Sequence, residues 1–170
     1  QGFQMKVIAY DPYISDSRFK RYKGEKKETL EALIKESDYI SVHTPRNDET
    51  YHMINDDHLE LMKKGVRLTN VARGGIIAEQ TILKGIQEGI IQSAAIDVHE
   101  EEPSFNNPLF ALAEVTVTPH LGASTFEAQR NVGMNVIEQV IYALQGEIVP
   151  NALNLPTLSR SELKSTKPYI

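Results

Sequence analysis

The sequence contains no cysteine. That absence excludes disulfides, thiolate nucleophiles and thiolate-bound zinc, and it permits a reducing compartment such as the cytoplasm. No apolar run approaches the roughly 20 residues that a membrane-spanning helix needs. With a net charge of -5 there is no broad basic surface for nucleic acid, and the one basic cluster, Lys20 to Lys27, reads as a solvated face. The chain opens at Gln1 without a methionine, a basic n-region or an apolar h-region. No signal peptide is read there, and the start is expected to be a cut inside a larger protein. Internal repeats and low-complexity segments are also missing.

What is present is the balance of a globular domain: 170 residues, 41% hydrophobic and 24% charged, enough for one domain with a sizeable core. Short β-prone runs at Met5 to Tyr10, Tyr39 to Val42, Val66 to Asn70, Ser93 to Val98 and Val115 to Val117 read as strands. Between them, Glu28 to Ser37, Asn55 to Lys63 and Ala78 to Glu88 carry apolar residues at helical spacing, with Gly65 and Gly89 as stops for the last two. Gln1 to Phe3 are expected to end an earlier helix. This alternation predicts an α/β fold with a doubly wound parallel sheet that presents ligands at the carboxyl ends of its strands.

From Ser124 a long helix is predicted, opened by a capping box of Ser124 and Glu127 and closed by Gly146. Its stripe of Met134, Ile137, Ile141 and Leu144, widened by Val136 and Val140, is expected to be core. Residues 1–150 are expected to form the main domain, and the proline-broken stretch from Asn151 to Ile170 to lead toward another.

Three successive apolar runs stop at polar groups: VRLTNVARGG, AAIDVHEEEP and VTVTPHLGA. They deliver Arg73, Asp97, Glu102 and His120. An arginine offers a planar fork to a carboxylate, although a surface arginine paired locally is an equal reading. Asp97 interrupts an apolar run and must be hydrogen-bonded to backbone or ligand, because a buried unpaired carboxylate is costly. A histidine in a strand-end loop beside a glutamate is a candidate general acid/base. Asp11, before Pro12, could open a turn or hold a ribose at the end of a second dinucleotide-fold strand. The glycine-rich fingerprint that accompanies such a carboxylate would fall before residue 1. His43 reads as structural, and Glu100 and Glu101 as an acidic, solvated loop.

In combination, KVIAYDP, NVARGG, AAIDVHEEEP and TPHLGAST resemble the nucleotide-binding domain of the D-isomer-specific 2-hydroxyacid dehydrogenases, in the family's order and approximate spacing. The resemblance implies a Rossmann-like NAD-binding domain lacking its first strand and glycine-rich loop. It implies that His120 transfers the proton, Glu102 partners it, and Arg73 binds the substrate carboxylate. By the same resemblance, Asp11, Thr44, Pro45, Val71, Ala72, Arg73, Asp97, His120, Leu121, Gly122 and Ala123 line the cofactor. A carboxylate at Asp11 would repel a ribose phosphate and so favours NAD over NADP. The implied substrate is a D-2-hydroxy acid, with D-3-phosphoglycerate preferred on the character of the tail. A homo-oligomer is implied, with no nucleic-acid, membrane or metal partner. Relatives acting on glyoxylate, hydroxypyruvate or D-lactate share the same residues, and an NAD-sensing binding module remains open as a reading. Arg46 and His99 depart from the family pattern, which has an apolar and an aromatic residue there.

Overall fold

The structure is a computed structural model that describes residues 3–149 and 151–153. The chain divides into two compact units, Gln1–Gly122 and Ala123–Ile170.

In the first unit, β1 (Ile8–Ala9) and β2 (Glu25–Lys26) pair in parallel as a two-stranded sheet, joined through α1 (Asp16–Arg21). The chain continues through α2 (Leu30–Glu36), β3 (Tyr39–Val42), β4 (Val66–Asn70), α3 (Glu79–Gln87), β5 (Ile91–Ile96) and β6 (Val115–Val117). These last four strands form one parallel sheet in the order β3-β4-β5-β6. Parallel neighbours need crossover connections, and α3 supplies the one between β4 and β5. The fold is therefore the parallel α/β arrangement that the alternation predicts, and it is Rossmann-like as the resemblance implies.

Burial follows the strand pleat. Ile40 and Val42 point inward while Tyr39 and Ser41 are exposed, and Val66, Leu68 and Asn70 are the buried residues of β4. Ile34 of α2 and Ile82 of α3 complete the core with Ile54, Ile77, Ile91 and Leu109. Val42 pairs with Asn70, Asn70 with Ile96, and Ile96 with Val117. The four strands thus end level, and the loops that follow them emerge along a single edge.

Several elements differ from their sequence boundaries. The strand expected over Met5 to Tyr10 is only Ile8–Ala9, and β5 begins at Ile91 rather than Ser93. The helix expected over Asn55 to Lys63 is a 3-10 turn, Asp56–Leu61, with Asn55 and His58 capping each other's backbone. It still buries Leu59 and Met62. A second 3-10 turn, Pro108–Ala111, precedes β6. The basic cluster is only partly a solvated face. It contains the end of α1 and all of β2; Lys26 pairs with Asp16 at 2.8 Å, and Lys27 pairs with both Glu25 and Glu36. Residues 1 and 2 of the expected opening helix lie outside the described residues, and Phe3 is in a turn.

In the second unit, α4 (Phe126–Leu144) is capped one residue later than expected. Thr125 Oγ1 accepts the Ala128 N–H at 3.1 Å, so the Ser124–Glu127 box does not form. Gly146, at φ +69°, follows the helix end as expected. The stripe predicted as core is exposed, from 44% at Ile141 to 83% at Leu144. Helical periodicity marks a face that can be buried, but burial also needs a covering surface, and no residue of α4 is buried among the described residues. Most of the expected tail, residues 154–170, lies outside the described residues.

Candidate active site at the carboxyl edge of the sheet

The turn after β4 is shaped from inside the sheet. The buried Asn70 side chain donates Nδ2–H to the Arg73 carbonyl at 2.9 Å and accepts the Ala72 N–H at 3.2 Å. Asn70 is not singled out by the sequence reading; its signal is a polar residue at an inward-facing position of the alternating strand VRLTN. Gly74 lets this turn press on the next loop, since a Cβ there would lie 1.6 Å from the His99 carbonyl oxygen. Arg73 projects from the turn, exposed, and donates Nη1–H to the Ala72 carbonyl at 2.6 Å. Val71 is half exposed at the strand end.

Asp97 organises the β6 loop. It is 6% exposed, and Oδ1 accepts from the Thr118 hydroxyl and from the Leu121 N–H at 2.7 Å, while Oδ2 accepts the Gly122 N–H at 2.8 Å. Burial pushes its carboxyl upward, but the Thr118, Leu121 and Gly122 donors and nearby His120 outweigh it and hold Asp97 below the usual carboxylate range. The same bonds pin the backbone around His120, whose φ of +57° lies in the left-handed region. Such a conformation costs a non-glycine residue energy and persists only where its surroundings enforce it.

His120 Nδ1 lies 2.8 Å from Glu102 Oε2. Glu102 Oε1 accepts the His99 backbone N–H at 2.9 Å, so both carboxylate oxygens are engaged. The His120 bond, assisted by the His99 N–H and opposed by burial, holds Glu102 below its ordinary value. A carboxylate at Nδ1 keeps the proton there and leaves Nε2 of the exposed ring for exchange.

Behind this pair, His99 is buried edge-on to Phe110, and its Nε2 lies 3.2 Å from the Thr118 carbonyl. Its Nδ1 has no hydrogen-bond partner and faces Glu79 Oε1 at 3.6 Å. Glu100 is not the solvated residue that the acidic run suggested. Its Oε1 accepts the Glu79 N–H at 2.8 Å and lies 3.0 Å from His52 Nε2, while the Glu100 N–H donates to Glu79 Oε1 at 3.1 Å. The first turn of α3 leaves N–H groups unpaired, and Glu100 satisfies one of them. Glu101 is exposed. His43 makes a local 2.8 Å contact with Ser41 Oγ and is not drawn into the site.

The residues expected to line a dinucleotide carry open valences. Asp11 Oδ1 accepts the Tyr13 and Ile14 N–H groups at 2.8 and 3.2 Å, and Oδ2 has no protein donor among the described residues. Thr44 Oγ1 is buried without a hydrogen-bond partner. A buried hydroxyl without a partner is unfavourable in the protein alone and suits a polar ligand. Asp97 Oδ2 keeps room for a second donor, such as a ligand amide. Pro45 directs its carbonyl to Thr50 Oγ1 at 2.6 Å. Ala123 opens the second unit, where its carbonyl accepts from Gln129 Nε2 at 3.4 Å. The open acceptors of Asp11 and Asp97 and the Thr44 hydroxyl are of the kind that ribose hydroxyls and a carboxamide pair with, while no glycine-rich G-x-G-x-x-G turn for the diphosphate occurs in the sequence.

Residues 1–122 match the family profile of the D-isomer specific 2-hydroxyacid dehydrogenase, NAD binding domain. The chain belongs to this family. The matched domain is an NAD-binding one, and NAD is its cofactor. Among curated relatives, the chain is 41% identical over its whole length to D-3-phosphoglycerate dehydrogenase of Methanocaldococcus jannaschii. It is likewise 44% identical to the chloroplastic D-3-phosphoglycerate dehydrogenase 3 of Arabidopsis thaliana. It spans 32% and 29% of those proteins, about a third of their length. Among solved structures, the holo form of Rhodotorula graminis D-mandelate dehydrogenase superposes with a TM-score of 0.84 at 30% identity, over 93% of this chain and 47% of that one. The Aquifex aeolicus D-lactate dehydrogenase complexed with NAD and lactic acid gives 0.77 at 28% identity, over 86% of this chain and 48% of that one. Among the described residues no helix is long and apolar enough to cross a membrane.

Proposed function

We propose that the whole protein is an NAD-dependent dehydrogenase of D-2-hydroxy acids, with D-3-phosphoglycerate as its first substrate and serine biosynthesis as its setting. The observation that carries this reading is the His120–Glu102 pair at 2.8 Å in the same cleft as Arg73. The identities to D-3-phosphoglycerate dehydrogenases favour that substrate over lactate or glyoxylate.

In this reading Arg73 binds the substrate carboxylate and aligns C2 with His120. As the alcohol is oxidised, His120 Nε2 takes the hydroxyl proton, and in reduction it returns it. Glu102 stabilises the imidazolium so formed and holds the ring in place. Asp97 fixes the loop that presents His120. Hydride exchange with C2 is the chemistry that a bound cofactor would supply, as NAD in oxidation and as NADH in reduction. Asp11, Thr44, Pro45, the Val71–Arg73 backbone, Asp97 and the loop from His120 to Ala123 would hold it. The resemblance also supports a cytoplasmic homo-oligomer.

The test is NAD reduction by the whole protein with D-3-phosphoglycerate and a panel of D-2-hydroxy acids, wild type against His120→Ala. Turnover on D-3-phosphoglycerate, lost in the variant while NAD still binds, supports the reading. Turnover only on another hydroxy acid changes the substrate and keeps the mechanism. NAD binding with no turnover on any of them sinks the enzyme reading and leaves a cofactor-sensing module.

A further inference from the structure

We infer that Arg46 forms an anion subsite beside Arg73, so that the cleft selects a 2-hydroxy acid bearing a second anionic group. This rests on the dehydrogenase reading above and narrows its substrate class.

Arg46, Arg73, Glu102 and His120 line one cleft of about 200 Å³. The lining carries two arginines and two glutamates, and only the glutamates have strong partners already. Glu102 is taken up by His120 and the His99 N–H, and Glu100 Oε1 by the Glu79 N–H and His52. Neither arginine makes an ion pair among the described residues. Each guanidinium reaches one backbone carbonyl: Arg73 that of Ala72 at 2.6 Å, and Arg46 that of Glu100 at 3.5 Å. A guanidinium is a fork of donors shaped to take two oxygens of one oxyanion. One fork therefore serves the carboxylate of a simple hydroxy acid. The second is surplus unless the substrate carries another anion.

Arg46 is also held in position, which separates it from an ordinary solvated arginine. Its guanidinium lies 4.9 Å from the Tyr51 ring centroid, a cation–π distance, and Tyr51 in turn stacks on His52 at 4.0 Å. Gly75, at φ +77°, brings the turn that carries Arg73 against both groups. A Cβ there would stand 2.8 Å from the Tyr51 ring and 3.5 Å from Arg46 Cζ. One glycine turn thus has Arg73 just before it and Arg46 packed across it, and both arginines line the same cleft. A phosphomonoester or a second carboxylate beyond C2 has the chemistry that Arg46 can recognise.

The experiment compares the whole protein with Arg46→Leu and Arg46→Lys on three substrates: D-3-phosphoglycerate, D-malate and D-glycerate. D-Glycerate has the same carbon chain as phosphoglycerate without the phosphate, so the ratio of kcat/KM values isolates the second anion. The ratio of D-3-phosphoglycerate to D-glycerate is expected to fall about 10- to 100-fold in Arg46→Leu, the loss of one charge-assisted contact, and to recover partly in Arg46→Lys. A fall confined to the D-malate ratio makes the second anion a carboxylate. Ratios unchanged for both dianions overturn the subsite. Should the wild type oxidise none of the three, the dehydrogenase reading has failed, and calorimetric binding of D-3-phosphoglycerate and D-glycerate decides the subsite separately. A dianion preference lost in Arg46→Leu supports it there; an undiminished or absent preference overturns it.

Discussion

His120 Nδ1 and Glu102 Oε2 meet at 2.8 Å although the two residues stand eighteen positions apart, on loops that follow different strands. The contact exists because β5 and β6 pair with Ile96 opposite Val117, which starts both loops at one level. Replacing Glu102 by Gln preserves shape and removes the charge that supports an imidazolium. Turnover should fall by about 10²-fold or more, within the range a positioned acid/base contributes, while NAD affinity stays near wild type. Initial rates read beside cofactor fluorescence would check this. Equal losses in rate and NAD binding would show that Glu102 shapes the cofactor site instead.

Asp97→Asn should loosen the loop that presents His120. The amide can keep one acceptor, but its NH₂ must then face the N–H of Leu121 or Gly122. Leaving a buried donor unpaired costs about 1–3 kcal/mol. Hydrogen exchange at Leu121 and Gly122 should accelerate, with little change at the strands. Unaltered protection at both amides would mean that Asp97 does not hold the loop.

Gly74→Ala tests the close approach of the Arg73 turn to the His99 loop. A Cβ 1.6 Å from a backbone carbonyl oxygen cannot be accommodated by a rotamer change, so one of the loops has to move. Overpacking of this kind costs about 1–3 kcal/mol, and the displacement reaches Arg73 itself. Thermal unfolding should drop by several degrees and turnover with it. A variant with wild-type Tm would refute the contact.

Glu36 predicts an acid limb in stability. Lys27 and Lys6 hold its carboxyl down to about 2 from an ordinary 4.5. A depressed folded value means that the unfolded chain binds the extra proton first. The contribution of Glu36 is present above about 4.5 and is lost as pH falls through the window toward about 2. Glu36 and both lysines are partly or largely solvent-accessible, and salt should weaken the effect. Denaturant titrations at pH 6, 4 and 3 should show a shallower decline for Glu36→Gln than for wild type. Parallel declines would argue that the two lysines do not perturb Glu36.

The alternation of short apolar runs with helical stretches was enough to read the parallel α/β class, because a strand needs alternation or continuity and a helix needs a 3.6-residue period. The polar stops at Arg73, Asp97 and His120 are readable for the same reason, since each interrupts or closes an apolar run; Glu102 stands in an acidic run and is marked only by its possible partner. Where the signal lay in a partner, it was not readable. Glu100 looked like one acid among three until α3 presented its unpaired Glu79 N–H. Lys27 looked solvated until Glu36 came within reach. The apolar stripe of α4 looked like core, since periodicity records which side of a helix is apolar and not whether another surface lies against it.

The sequence alone carries the α/β class, most of the element order though not α1 or β2, the candidate residues of the site and, through its motifs, the resemblance to the family. Tertiary structure alone decided which of those residues meet. Strand register brought Glu102 to His120, and Gly74 brought the Arg73 turn onto the His99 loop. It also set Arg46 on Tyr51 beside that turn. Distances between side chains on separate loops are fixed by sheet register and backbone contact, and no periodicity along a single chain encodes them.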